Sequence, residues 1–158
     1  MHAALAWLEG SALGEWVRTS GPWTYAVVNL GHVFGIALLF GAVVVLDLRL
    51  LGLWRAAPVA AVVRPTLGVA AAGLALAIPT GVTLLSAQAT EYARNPFLWI
   101  KLSAVALGVL NVLALRRSAA WRALGDEGRM SPTLAWAAAV SLACWLTAVS
   151  AGRLIAYW

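Results

Sequence analysis

Residues 22–52, PWTYAVVNLGHVFGIALLFGAVVVLDLRLLG, decide the fold. The stretch is apolar for longer than the roughly 20 residues a helix needs to cross a hydrocarbon core about 30 Å thick. It opens on a proline, where the first helical turn loses only an amide hydrogen that has no partner anyway. Its interior holds Asn29 and His32, and it closes on Asp47 and Arg49. An ionisable side chain inside a spanning helix is costly to hold without a partner, which makes His32 the first candidate functional residue.

The rest of the chain repeats the pattern. Arg64-Pro65, Asn95-Pro96 and Ser131-Pro132 also stand before long apolar runs. The four runs predict spans over about 22–50, 65–88, 96–115 and 132–157 of one domain covering residues 1–158. With 63% hydrophobic and 11% charged residues, the composition excludes an ordinary soluble domain. Short connections favour neighbouring antiparallel helices, so the expected fold is all-α, an integral membrane antiparallel four-helix bundle. Residues 1–18 place Leu5, Leu8, Ala12 and Trp16 at helical spacing with Glu9, Ser11, Glu15 and Arg18 largely opposite. That pattern predicts an N-terminal interfacial amphipathic helix. It lacks the basic start of a signal peptide and is expected to remain in the mature protein.

The net charge of +5 invites a nucleic-acid reading, but the arginines fall in short loops and not along one stripe, so no nucleic acid is expected. Arg49, Arg55, Arg64, Arg116, Arg117, Arg122 and Arg129 lie on one side of the predicted membrane. Arg18, Arg94, Lys101 and Arg153 lie on the other. The positive-inside rule makes the first side cytoplasmic and both termini periplasmic or exterior in a multi-pass inner-membrane protein. Trp7, Trp16, Trp23, Tyr92, Trp99, Tyr157 and Trp158 form the expected outer aromatic belt, and Trp54, Trp121 and Trp136 the inner one.

On this topology His32 lies about 15 Å below the outer start of its helix. Asn29 stands one turn above it on the same face. Lys101 and Arg153 sit near the outer ends of the third and fourth spans, with Tyr157 one turn beyond Arg153. Two cations near the interface and an imidazole about 8–12 Å deeper suit haem b, with His32 on the iron as the metal ligand and Lys101 and Arg153 on the propionates. The same groups suit a quinone head group. They also suit purely structural roles: His32 hydrogen bonded to Asn29 or to a neighbouring helix, and Lys101 and Arg153 reaching to the headgroups. The other histidine is His2, so a haem here would be five-coordinate or take a ligand from a partner subunit. With no CxxCH or HExxH, covalent haem and a zinc-protease site are not expected.

Other features have local readings. Asp47, about 22 Å beyond His32, is expected to pair with Arg49, Arg55 or Arg116-Arg117 at the inner surface. Gly31-x-x-x-Gly35 and the Gly68/Ala72 pair suit close packing within the chain, and also self-association or the docking of a membrane partner subunit. Pro79 predicts a kink and a carbonyl freed near Ala75. Soluble-enzyme constellations are missing, and no enzymatic activity is read from the sequence.

Gly31-His32, Asp47-Leu48-Arg49-Leu50-Leu51-Gly52, Thr80-Gly81, Asn95-Pro96-Phe97 with Lys101, Ser141-Leu142 before Trp145, and Gly152-Arg153-Leu154-Ile155-Ala156-Tyr157 together resemble an uncharacterised family of small bacterial four-span membrane proteins. The resemblance covers nearly the whole chain. It implies a four-helix fold in a bacterial inner membrane and no established activity. The resembling pattern often carries a further histidine in helix three, in the region where this chain has Leu115. Three functions are therefore carried forward. The first is electron transfer through haem b or a quinone-like ligand near His32. The others are a non-catalytic subunit or assembly factor docking a partner protein, and a small channel or transporter using Asn111 and Asp47.

Overall fold

A computed structural model describes residues 2–127 and 130–158. Two short helices, α1 (His2–Glu9) and α2 (Ala12–Thr19), precede the first long helix, α3 (Pro22–Leu50). Then follow α4 (Val59–Ser86), the short α5 (Ala89–Tyr92), α6 (Pro96–Arg117), α7 (Ala119–Glu127) and α8 (Pro132–Leu154), which ends in a 3-10 turn, Ile155–Tyr157. Four of these, α3, α4, α6 and α8 with its turn, are long and apolar enough to cross a bilayer. The all-α four-helix architecture expected from the sequence is therefore present. At 29 residues, α3 is about 43 Å long, more than a hydrocarbon core about 30 Å thick requires.

Helix packing follows the order α4–α3–α8–α6. The most extensive interface joins α3 to α4, followed by α6 with α8, and α3 with α8 closes the set. Lipid is as apolar as leucine, so spanning helices hold together by close approach and polar bonds and not by burial from water. Gly35 and Gly73 supply the approach between α3 and α4: a Cβ on Gly35 would lie 2.7 Å from the Ala77 nitrogen, and one on Gly73 would lie 2.7 Å from the Gly35 carbonyl oxygen. The Gly31-x-x-x-Gly35 motif is thus used within the chain at its second glycine, while Gly68 faces open space. Between α6 and α8, Gly108 makes room for Trp145, and Asn111 Nδ2 donates to the Ala137 carbonyl at 2.9 Å. Asn111 is thereby an interhelical bond.

Two ends of the bundle differ in how they are closed. The end bearing both termini is tied by polar groups. Asn95 caps α6 by accepting from the Phe97 amide at 2.9 Å, and its Nδ2 donates to the Ile155 carbonyl at 3.0 Å. Glu9 accepts from both the amide and the hydroxyl of Thr90, each at 2.7 Å, and so fastens α1 over α5. The opposite, arginine-rich end holds the apolar cluster of Leu46, Leu50, Leu115, Leu124, Leu134 and Ala138. Exposed tryptophans flank the spans at both ends, Trp7, Trp16, Trp23 and Trp158 at one and Trp54 and Trp136 at the other.

Several boundaries depart from the sequence expectation. The N-terminal segment is two helices, because Gly10 interrupts it and Ser11 starts α2 afresh, its hydroxyl accepting from the Gly14 amide. α2 lies directly on α4, where a Cβ on Gly14 would come within 2.8 Å of the Ser86 carbonyl. The second span starts at Val59 with Pro58 as N-cap, so Pro65 is inside the helix and does not announce it. The connection after the third span is not a plain loop but contains α7, whose Leu124 joins the apolar cluster. Arg129 of the predicted basic loop lies outside the described residues.

The end of α3 explains its closing motif. Gly52 adopts φ +103°, a conformation open to glycine at little cost. The Leu53 amide then reaches the Leu48 carbonyl at 3.0 Å and the Gly52 amide reaches Arg49 at 3.1 Å. These two bonds form a Schellman motif, which satisfies the helix's last carbonyls.

Candidate functional site: an intramembrane histidine held by its neighbour helix

His32 projects from α3 into the seam with α4. Its Nδ1 lies 3.0 Å from the Ala77 carbonyl oxygen and 3.1 Å from Thr80 Oγ1. A carbonyl can only accept, so Nδ1 carries the proton and donates. The Thr80 hydroxyl is oriented by its own bond to the Leu76 carbonyl at 2.6 Å, which leaves its oxygen free to share the imidazole proton. In the neutral ring this bond fixes the tautomer, with the proton on Nδ1 and the lone pair on Nε2.

Space for the ring comes from Gly81. A Cβ there would stand 2.9 Å from Cε1 of the imidazole. Thr80-Gly81 therefore acts as a unit, one residue bonding the ring and the next making room for it. Pro79 stands just before them. It deprives the Ala75 carbonyl of its usual amide partner. The histidine bonds Ala77, two residues further on.

Lys101 lies in the second turn of α6, on the other pair of helices. Its side chain crosses α8 at Gly152, where a Cβ would meet Nζ at 3.4 Å and Cδ at 3.5 Å. His32 of α3 is thus seated over Gly81 of α4, and Lys101 of α6 over Gly152 of α8.

The remaining predicted residues are elsewhere. Arg153 hydrogen bonds the Tyr157 hydroxyl, with its guanidinium 4.7 Å from the centre of the Tyr157 ring. Both are exposed at the end of α8. Their i, i+4 spacing was the readable sign of this pairing. Asn29 is exposed on α3, and the Nδ1 bond of His32 goes to α4 and not to Asn29.

Asp47 and Arg49 depart from expectation more sharply. Both are buried, at 4% and 5% exposure, and they do not pair. Asp47 faces Ser141 of α8, and among the described residues its Oδ2 has no hydrogen-bond partner. Arg49 Nη2 donates to the Ala57 carbonyl at 2.9 Å, while its Nε has no partner among the described residues. Two residues apart on a helix, the side chains point about 200° from one another and cannot meet. Among the described residues no group of three or more His, Cys, Asp or Glu is placed to hold a metal ion.

Fold and site together define a four-span helical membrane protein with one oriented histidine inside the spans. The chain matches DUF6644, a family of unknown function, over residues 4–158, and it belongs to that family. No curated protein and no solved structure matches it.

Proposed function

We propose that this protein binds a redox-active amphipathic ligand at His32, in the outer half of a bacterial inner membrane, and serves electron transfer. The observation that carries the reading is the Nδ1 bond to the Ala77 carbonyl. Metal-binding histidines ordinarily donate their second ring nitrogen to such a group, which fixes the ring and directs Nε2 at the ligand.

Haem b would be held by His32 at the iron and by Lys101 at a propionate. Bound haem would supply one-electron chemistry. Arg153, engaged with Tyr157 at the rim, is left out of the inner set. The pairing of an acceptor nitrogen with a donor cation favours a quinone as the second reading: Nε2 accepts from a quinol hydroxyl, and Lys101 donates to the carbonyl form. In either case the protein holds and orients the ligand, and His32 and Lys101 fix its head group in the membrane.

The arginine-rich end belongs on the cytoplasmic side, with both termini outside, because basic loops are retained there. The test is the absorption spectrum of freshly solubilised protein, with haem and quinone extraction. A haem spectrum or a bound quinone that is lost in His32→Ala is expected. Colourless protein yielding neither compound overturns the reading.

A further inference from the structure

At the arginine-rich end the chain leaves α3 through Gly52 and re-enters the bundle at Val59. Between these points lies a cleft of about 410 Å³, lined chiefly by Arg49, Arg55, Ala57, Val59, Ala60 and Leu124. Arg49 is 5% exposed, yet among the described residues nothing meets its Nε. Its one bond, from Nη2 to the Ala57 carbonyl, holds the guanidinium in the wall of the cleft. Arg55 donates through Nε to the Gly52 carbonyl at 3.1 Å, which folds its guanidinium back toward the same opening. The facing wall is the first turn of α4. Its N-cap is Pro58, with no side chain able to accept, so the Val59 and Ala60 amides are uncapped.

Each feature asks for the same thing. A buried guanidinium with an unused donor calls for an anion, and its planar fork matches phosphate oxygens. An uncapped N-terminus of a 28-residue helix offers two amides and the positive end of its dipole. Among the residues whose side chains are described, none that lines the cleft is acidic. We propose that this cleft is a phosphate site, in which a phosphoryl group sits between Arg49 and Arg55 and accepts from the first amides of α4. The apolar walls of Val59 and Leu124 accommodate the ester carbons of a phospholipid head, and the same oxygens could equally come from a soluble phosphate.

Two variants at exposed positions test this without emptying the core. Arg55→Gln removes one guanidinium. Ala60→Glu puts a carboxylate at the helix N-terminus as a built-in competitor, at a place where acidic residues favour the helix. The protein is placed in phosphatidylcholine nanodiscs, with and without phosphatidylglycerol, and separately titrated with inorganic phosphate against chloride at constant ionic strength. Thermal midpoints and native mass spectra are recorded. Binding is expected to raise the wild-type midpoint, to weaken about tenfold or more in Arg55→Gln, and to vanish in Ala60→Glu. A response to phosphatidylglycerol alone assigns the site to lipid, and one to inorganic phosphate alone assigns it to a soluble anion. Responses to both support the shared chemistry. No response, or one unchanged in both variants, overturns the proposal.

Discussion

The contact between His32 and Gly81 makes a quantitative prediction that does not depend on any ligand. In Gly81→Ala the new methyl would stand 2.9 Å from Cε1 of the imidazole, where carbon atoms settle at about 3.5–4.0 Å. The ring must retreat by about 0.6–1 Å. Its Nδ1 bonds, at 3.0 and 3.1 Å, then stretch to about 3.6 Å or beyond, where they cease to be hydrogen bonds. The loss is about 1 kcal/mol for the bond, plus about 1 kcal/mol for the crowding that remains, since a side chain and not a backbone must move. Against this stands the gain of up to about 1 kcal/mol from replacing glycine by alanine in a helix. Gly81→Ala should therefore cost about 1 kcal/mol in the wild-type chain. In a His32→Ala background the clash and the bond are both gone, and the same change should stabilise by up to about 1 kcal/mol. The double-mutant cycle, read from unfolding of the protein in nanodiscs, should give a coupling near 2 kcal/mol. Additive effects of the two substitutions would refute the placement of the ring in this seam. If a ligand is bound through Nε2, Gly81→Ala should also weaken it by about 10–100-fold, the usual effect of losing the bond that orients a ligating histidine.

Three further outcomes follow from the ends of the bundle. Asn95→Ala removes both the cap on α6 and the donor to the Ile155 carbonyl, and should cost about 2–4 kcal/mol; Asn95→Asp keeps the cap and should cost about half, with faster amide exchange after Leu154 as the marker in both. The Glu9 carboxyl is held below its usual range, chiefly by the Thr90 amide and then by the Thr90 hydroxyl. A depressed carboxyl lends its stability above its unfolded value and loses it as pH falls through the folded one, so the docking of α1 on α5, followed by Trp7 fluorescence, should be intact at neutral pH and loosen only below the ordinary carboxylate range. Gly52→Ala puts a side chain at φ +103° and 2.9 Å from an Arg55 nitrogen, and should lower the unfolding free energy by about 1–3 kcal/mol while Gly41→Ala, in open space, does not.

The four spans were legible because length and apolarity suffice to define a crossing helix, and Pro22, Pro96 and Pro132 marked three starts correctly. Arg64-Pro65 misled because the alanine- and valine-rich turn before it continues the helix from Pro58, a few residues earlier. α7 was not foreseen, although Ala120, Trp121 and Leu124 stand at helical spacing in the stretch between the spans. At the site, His32 stood out by its chemistry alone. Its partner did not, because a backbone carbonyl has no letter in the sequence. The glycine at 81 was visible next to Thr80, but which side chain would occupy its space depends on the register of α3 against α4. Arg49 was hidden for a similar reason: an arginine at the end of a span ordinarily reaches water, and only the return of the chain through residues 52–58 buries it.

A common physical constraint explains why the polar groups lie where they do. The arginine-rich end is held by leucines packed under α7, and the terminal end by Asn95 and Glu9. Neither device is available in the middle of the spans, where lipid competes equally for apolar surface and helices must meet through small residues or hydrogen bonds. Gly35 and Gly73 bring α3 and α4 together there, and His32 then bonds a carbonyl that this approach has brought within reach. Lys101 uses the same economy at Gly152, crossing α8 where no side chain blocks it. A histidine serving only to join α3 to α4 could be replaced by any residue donating one hydrogen bond. His32 differs from such a residue in that its joining bond uses one ring nitrogen and leaves it a second. The bond that holds the helices is therefore also the one that orients Nε2.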